Sequence, residues 1–229
     1  IHNSEISCRV FENRKRLILG DTKKGCPHIL VGCVQPFMYL EIVQLLAHVE
    51  KCSSSWAKGS FGIHYKEDIS LYAAHLPLDM HPEIGNNIEL VKILDLSYPE
   101  PFGAYHGVKI GFKGKYEKKK SIKEISRKLE KSLSAKVECF NFGPDKVESV
   151  GIVSGGGGSA FEDCIKEELD LFITGEPSHA IYHIAKEAGI NLIFAGHYAT
   201  EKLGIISLGK NIEEKFKIKT EFIDIPTGL

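Results

Sequence analysis

The sequence predicts an α/β fold in which parallel strands are covered by helices on both faces. Continuous apolar runs recur from about residue 148, at Val150 to Val153, Leu171 to Thr174 and Asn191 to Ala195. Each is followed by a glycine turn and a stretch of helical periodicity, which is a βαβαβ pattern. Runs without polar alternation fit strands buried on both faces, as in parallel sheets. Ligands of such sheets gather outside the C-terminal strand ends, so the residues just past each run are the first place to look for chemistry.

The elements follow in chain order. Asp68 to Ala74 reads as a strand running into His75 and the segment Leu76 to Asp79. Asn86 to Leu94 reads as a helix, with Asn86 or Asn87 as its N-cap. From Gly107 to Cys139 the pattern changes to a strand (Val108 to Phe112), a basic loop holding Lys118 to Lys120, a helix and a second strand (Lys136 to Phe140). That helix carries Ile122, Ile125, Leu129 and Leu133 on one stripe and a capping box of Ser121 and Glu124. The three lysines read as a solvated loop. The expected organisation is an α/β lobe of residues 1–102 plus 146–229, with a smaller inserted α/β lobe at 103–145. Beyond it, Ser159 with Glu162 forms a second capping-box pattern, and Ser178 after Pro177 is an N-cap candidate, so both following helices start at the same rim.

Composition bounds the function. A chain of 229 residues with 43% apolar and 26% charged residues is an ordinary globular one. Its 29 Lys and Arg are balanced by 30 Asp and Glu. The basic excess that marks a nucleic-acid face is missing, so nucleic acid is not an expected partner and a nucleotide ligand would be small. No apolar run approaches the roughly 20 residues needed to span a bilayer, and the start lacks a signal peptide's basic-then-apolar order. The six cysteines have no paired spacing. Together these features make the cytoplasm the expected compartment.

Three places can hold chemistry. In Gly196 to Glu201, His197 and Glu201 stand four apart just after a buried strand; on a helix they share one face and can hold one divalent ion. The same spacing fits a solvated pair. At the end of the upstream strand come His75 and Asp79, and a carboxylate buried there needs a cation or several donors, unless it merely caps the next turn. Finally, Gly155, Gly156, Gly157 and Gly158 join a strand to a helix. Their amides can face an anion, or form a plain tight turn. Glu176 and His179 occupy the neighbouring rim position. No Ser-His-Asp or Cys-His arrangement can be read, so covalent catalysis is not expected.

The segments LYAAHLPLD, HPEIGNN, SGGGGSAFEDC, DLFITGEPSHA and AGHYATEKLG stand in this order between Leu71 and Gly204. Together they resemble the Nif-three-like family, the GTP cyclohydrolase 1 type 2 homologues, over roughly residues 61 to 229. The resemblance implies a two-lobed α/β subunit with mixed or parallel sheets flanked by helices, a two-metal site and a homohexameric ring. It supports Asp79, His197 and Glu201 as metal ligands; on the residues themselves Asp79 is the expected bridge, Glu201 a ligand or a catalytic proton relay, and His75, Glu176 and His179 candidates for outer or substrate-contacting positions. The implied cofactors are two divalent cations, with zinc, iron, manganese and nickel all compatible with nitrogen and oxygen donors. The resemblance does not settle a substrate; the expected activity is metal-dependent hydrolysis of a nucleotide or related small molecule, and a non-enzymatic metal-binding ring that presents a surface to protein partners is the rival. This chain departs from the family pattern in one respect, for it has no adjacent His-His pair, and Lys51 to Ser55 stand where that pair is expected. Neither His48 nor His64 replaces it well. A sequence irregularity before Trp56 is the expectation.

Overall fold

The structure, a computed structural model, describes the backbone of Arg9–Phe11, Arg16–Ile18, His28–Gly32 and Ile69–Ala73, and residues 75–217 and 219–226 in full. The expectations for His48, Lys51 to Ser55, Trp56 and His64 lie outside these residues. Two units share the chain: Ile1–His75 with Ile205–Asp224, and Leu76–Gly204 with Ile225–Leu229. In the first, β1 (Arg9–Phe11) pairs antiparallel with β2 (Arg16–Ile18). There β3 (His28–Gly32) runs parallel to β4 (Ile69–Ala73), the strand expected at Asp68 to Ala74.

The second unit opens with a one-turn helix α1 (Leu76–Asp79) and α2 (Asn86–Leu94), followed by β5 (Ser97–Tyr105), β6 (Val108–Ser121), α3 (Ile122–Leu133) and β7 (Glu138–Phe140). Then come β8 (Lys146–Val153), α4 (Phe161–Lys166), β9 (Leu171–Thr174), α5 (His179–Ala188), β10 (Asn191–Phe194) and α6 (His197–Phe216), whose last turns belong to the first unit. One six-stranded sheet has the order β5-β6-β8-β9-β10-β7. Its centre, β8-β9-β10, is parallel, and the flanking pairs are antiparallel. Every residue of β9 and β10 is buried, as their unbroken apolar runs require.

Helices cover both faces. On one, Leu90 and Leu94 of α2 meet Ile125 and Leu129 of α3 over Ile152 and Ile173. On the other, Phe161 and Ile181 from α4 and α5 pack on Phe172 and Leu192. None of the described helices is long and apolar enough to cross a membrane.

Several local expectations change where tertiary pairing outweighs local pattern. The segment expected as an inserted lobe at 103–145 gives β6 and β7 to the same sheet as β8 to β10. Lys118 to Lys120 lie in β6 rather than in a loop, because pairing with β8 continues past an irregular stretch to Ser121. Lys118 and Lys119 are exposed as expected while Lys120 is half-buried, and Lys119 reaches Glu148 at 3.1 Å. Ser121 and Glu124 do form the capping box. Ser159 and Glu162 do not: residues Gly157–Ala160 already coil as a 3₁₀ turn, so Ser159 is never the extended residue an N-cap must be. Ser178 holds the N-cap position of α5, but its side chain makes no capping bond. Gly85, not Asn86 or Asn87, stands at the N-cap of α2, and both asparagines are fully buried inside the first turn.

Tyr116 is 4% exposed and its hydroxyl has no hydrogen-bond partner. Burial pushes the phenol's pKa up. An orphaned buried hydroxyl costs about 1–3 kcal/mol of desolvation, so Tyr116→Phe is expected to leave stability unchanged or raise it by about 1 kcal/mol. Urea unfolding of the two proteins checks this, and a clear loss of stability would show that the hydroxyl has a partner.

Candidate metal centre

Parallel pairing sets Val153 opposite Thr174 and Thr174 opposite Phe194, so β8, β9 and β10 leave the sheet at one level. The exits are stitched together. Gly175 and Glu176 donate their amides to the Gly155 carbonyl at 2.9 and 3.1 Å, and Gly196 donates to the Gly175 carbonyl at 3.0 Å. Glu176 and His197 are thereby brought side by side, with His197 Nδ1 2.5 Å from Glu176 Oε1. One turn along α6, Glu201 places Oε1 3.1 Å from His197 Nε2. That nitrogen is buried yet makes no hydrogen bond, so the two groups are close without being aligned as donor and acceptor.

Thr200 anchors the start of α6. Its hydroxyl oxygen accepts the Gly155 amide at 3.0 Å and donates to the Gly196 carbonyl at 2.9 Å. Gly155 itself has φ +62°, and a Cβ on it would sit 2.1 Å from Glu201 Oε1 and 3.1 Å from His197 Nε2. The absent side chain leaves the space in which these two donors lie.

Asp79 closes α1 and is 4% exposed. Its Oδ1 accepts from Asn86 Nδ2 at 2.7 Å and from the Ser154 hydroxyl at 3.5 Å. Asp79, Glu201 and His75 each offer a ligand atom, and the three atoms lie within 4.8 Å of one another. All three residues are at most 9% exposed. Carboxylates that approach so closely out of water repel unless a proton or a cation lies between them. The charge of His197 answers part of this: the Glu201 carboxylate beside it, against the cost of desolvation and with help from Glu176, pushes the imidazole from 6.5 up to about 9.

The donors fit a divalent ion. Two carboxylates and an imidazole converge, and a second imidazole turns its inward nitrogen to one of those carboxylates, a nitrogen and oxygen set suited to zinc, iron(II), manganese or nickel. The Glu176 contact at Nδ1 turns Nε2 inward, the usual arrangement behind a metal-binding histidine.

The predicted residues are thus placed unevenly. Asp79 and Glu201 come together, though Asp79 sits at the end of a helix turn rather than on a strand tip. His75, expected at the periphery, offers a ligand atom within 4.8 Å of those of Asp79 and Glu201, while His197 lies between Glu201 and Glu176. His179 is exposed on α5, with its ring 6.2 Å from that of His183. Within the glycine loop, the amides of Gly155 and Gly157 are already engaged, by Thr200 and Thr174. Gly156 and Gly158 line an open cleft of about 480 Å³ with Phe161, Ser178 and two carboxylates, Glu162 and Glu176. That lining makes a poor anion cradle. The sequence offers Asn86 and Asn87 only as helix caps and Thr174 only as a strand end, with no role for Thr200, and does not show their bonds to the site's surroundings.

The sequence model of Duf34/NIF3 (NGG1p interacting factor 3) matches residues 49–228. A Pyrococcus horikoshii protein called GTP cyclohydrolase 1 type 2 homolog is 47% identical over 180 residues, covering 76% of this chain and 72% of that protein. Among solved structures, TTHA1606 from Thermus thermophilus superposes with a TM-score of 0.67 at 36% identity, over 74% of this chain and 66% of the other. The protein ybgI, described as of unknown function, superposes with a TM-score of 0.73 at 28% identity, over 88% of this chain and 85% of its own.

Proposed function

The chain belongs to the Duf34/NIF3 family, and from that premise we propose that it is a divalent-metal-dependent hydrolase of a nucleotide or similar small molecule. The observation that carries this is the convergence of His75, Asp79 and Glu201 within 4.8 Å, with Nε2 of His197 3.1 Å from Glu201 Oε1. A cation held there would supply a polarised oxygen and an activated water at neutral pH. Of the chain's own groups, Asp79 and Glu201 would hold the positive charge, Glu176 fixes the His197 ring through Nδ1, and the Glu201 carboxylate would be the proton acceptor. A hydrolytic reading also agrees with the relatives' name. The homohexameric ring implied by the family resemblance is part of the same proposal.

Four described donors suit one ion better than two, so one cation is expected to bind tightly and a second weakly. In the metal-free protein the raised His197 pKa has a definite sign. Its contribution to stability is complete below about pH 6.5 and is lost as pH rises through about 9. Metal competes with that proton, so cation affinity should rise as the pH climbs toward 9. The test is elemental analysis of purified protein, zinc and manganese titrations at several pH values, and turnover of GTP and simple phosphoesters with Asp79→Ala as control. Absence of metal from the wild-type protein defeats the proposal. Stoichiometric metal without turnover of any substrate would favour the non-enzymatic metal-binding role.

A further inference from the structure

Two neighbouring asparagines at the start of α2 are both fully buried, and they do different work. Asn87 ties backbone to backbone: its Nδ2 donates to the carbonyls of Asp79 and Ile110 at 3.2 and 2.8 Å, and its Oδ1 accepts the Ser154 amide at 2.7 Å. Asn86 instead joins a side chain of the proposed site to the helix that carries the rest of it. Its Nδ2 donates to Asp79 Oδ1 at 2.7 Å, and its Oδ1 accepts the Gly204 amide of α6 at 2.6 Å. Gly204 is one turn beyond Glu201, and a Cβ on it would stand 2.8 Å from Asn86 Oδ1, so glycine is what lets the amide approach.

A single planar amide therefore links Asp79 with the backbone of α6, across 118 residues of sequence between Asn86 and Gly204. Both of its ends are engaged and neither is in water, which makes it a rigid spacer rather than an adaptable one. It also fixes how Asp79 is presented. One oxygen is held by the amide, and the carboxylate cannot swivel without breaking a buried bond. We propose that Asn86 is the positioning residue that sets the separation of Asp79 from Glu201, and so determines whether the site accepts a divalent cation.

This inference rests on the metal reading, and a pair of variants separates the two. Asn86→Ala and Asn87→Ala each remove a fully buried amide, and Asn87 makes the greater number of backbone bonds, so Asn87→Ala should lower the unfolding midpoint of the metal-free protein at least as much as Asn86→Ala does. Only Asn86→Ala should weaken zinc or manganese binding, by about 10- to 100-fold, as loss of a partner to a metal ligand does. Isothermal titration of the full chain with each cation reads the affinity, and urea unfolding without metal reads the stability. If Asn86→Ala is too unstable to titrate, Asn86→Ser serves, because it keeps a polar side chain too short to reach Asp79. Equal loss of affinity in the Asn86 and Asn87 variants, or none in either, would overturn the positioning role while leaving the metal site intact. Wild-type protein that takes up neither cation would remove both.

Discussion

Replacing Gly155 by alanine is expected to weaken divalent-cation binding by about 100-fold, the upper end of what disturbing a metal ligand's surroundings costs. Two effects act together. At φ +62° an alanine carries left-handed backbone strain, and its methyl would fall 2.1 Å from Glu201 Oε1. The strain costs about 1–2 kcal/mol. The clash is with the far end of a flexible side chain, so the fold survives and Glu201 swings away. A site damaged out of proportion to stability is the distinguishing result. It would be read by titrating zinc or manganese into the variant and by comparing urea unfolding of the two metal-free proteins. A variant that binds cations as wild type does would mean that Glu201 is not held where the structure places it.

Phe172→Ala should produce the largest loss of stability, about 3–5 kcal/mol. Phe172 is fully buried in β9, with ring centroids 5.6 Å from Phe161 and 6.4 Å from Phe102. Truncation opens a cavity between the sheet and α4, where neighbouring strands and helix leave little room to collapse. Thr174, two residues along the same strand, accepts the Gly157 amide and donates to the Gly155 carbonyl. Loosening β9 should therefore also reach the glycine loop. Denaturant unfolding measures the stability, and a loss below about 1.5 kcal/mol would show that this face repacks freely.

Much of the architecture could be read locally. Unbroken apolar runs at Leu171 to Thr174 and Asn191 to Ala195 fit strands covered on both sides, and the structure forms strands at Leu171–Thr174 and Asn191–Phe194 with every residue buried. Ser121 with Glu124 capped α3 as its spacing requires, because a capping box needs only residues three apart. His197 and Glu201 share a face for the same reason, since four residues are one turn of helix.

Local pattern failed where the partner was remote. Ser159 shows the same capping pattern as Ser121, but packing of Ala160 and Phe161 into the core holds a 3₁₀ turn there. The lysines at 118–120 look like a loop until β8 pairs beside them. Asn86 and Asn87 have the chemistry of helix caps, and nothing nearby in the chain says that Asp79, Ser154 and Gly204 will take their amides.

By itself, the sequence determined the family, the strand and helix periodicities, and the identity of the acidic and imidazole groups at the sheet's rim. Only the tertiary structure decided that His75 joins Asp79 and Glu201 within 4.8 Å, and that an asparagine ties Asp79 to the backbone of the helix that carries Glu201. The reason is physical: periodicity is written in neighbouring residues, whereas the separation of two buried donors is set by packing and hydrogen bonds between segments far apart in the chain.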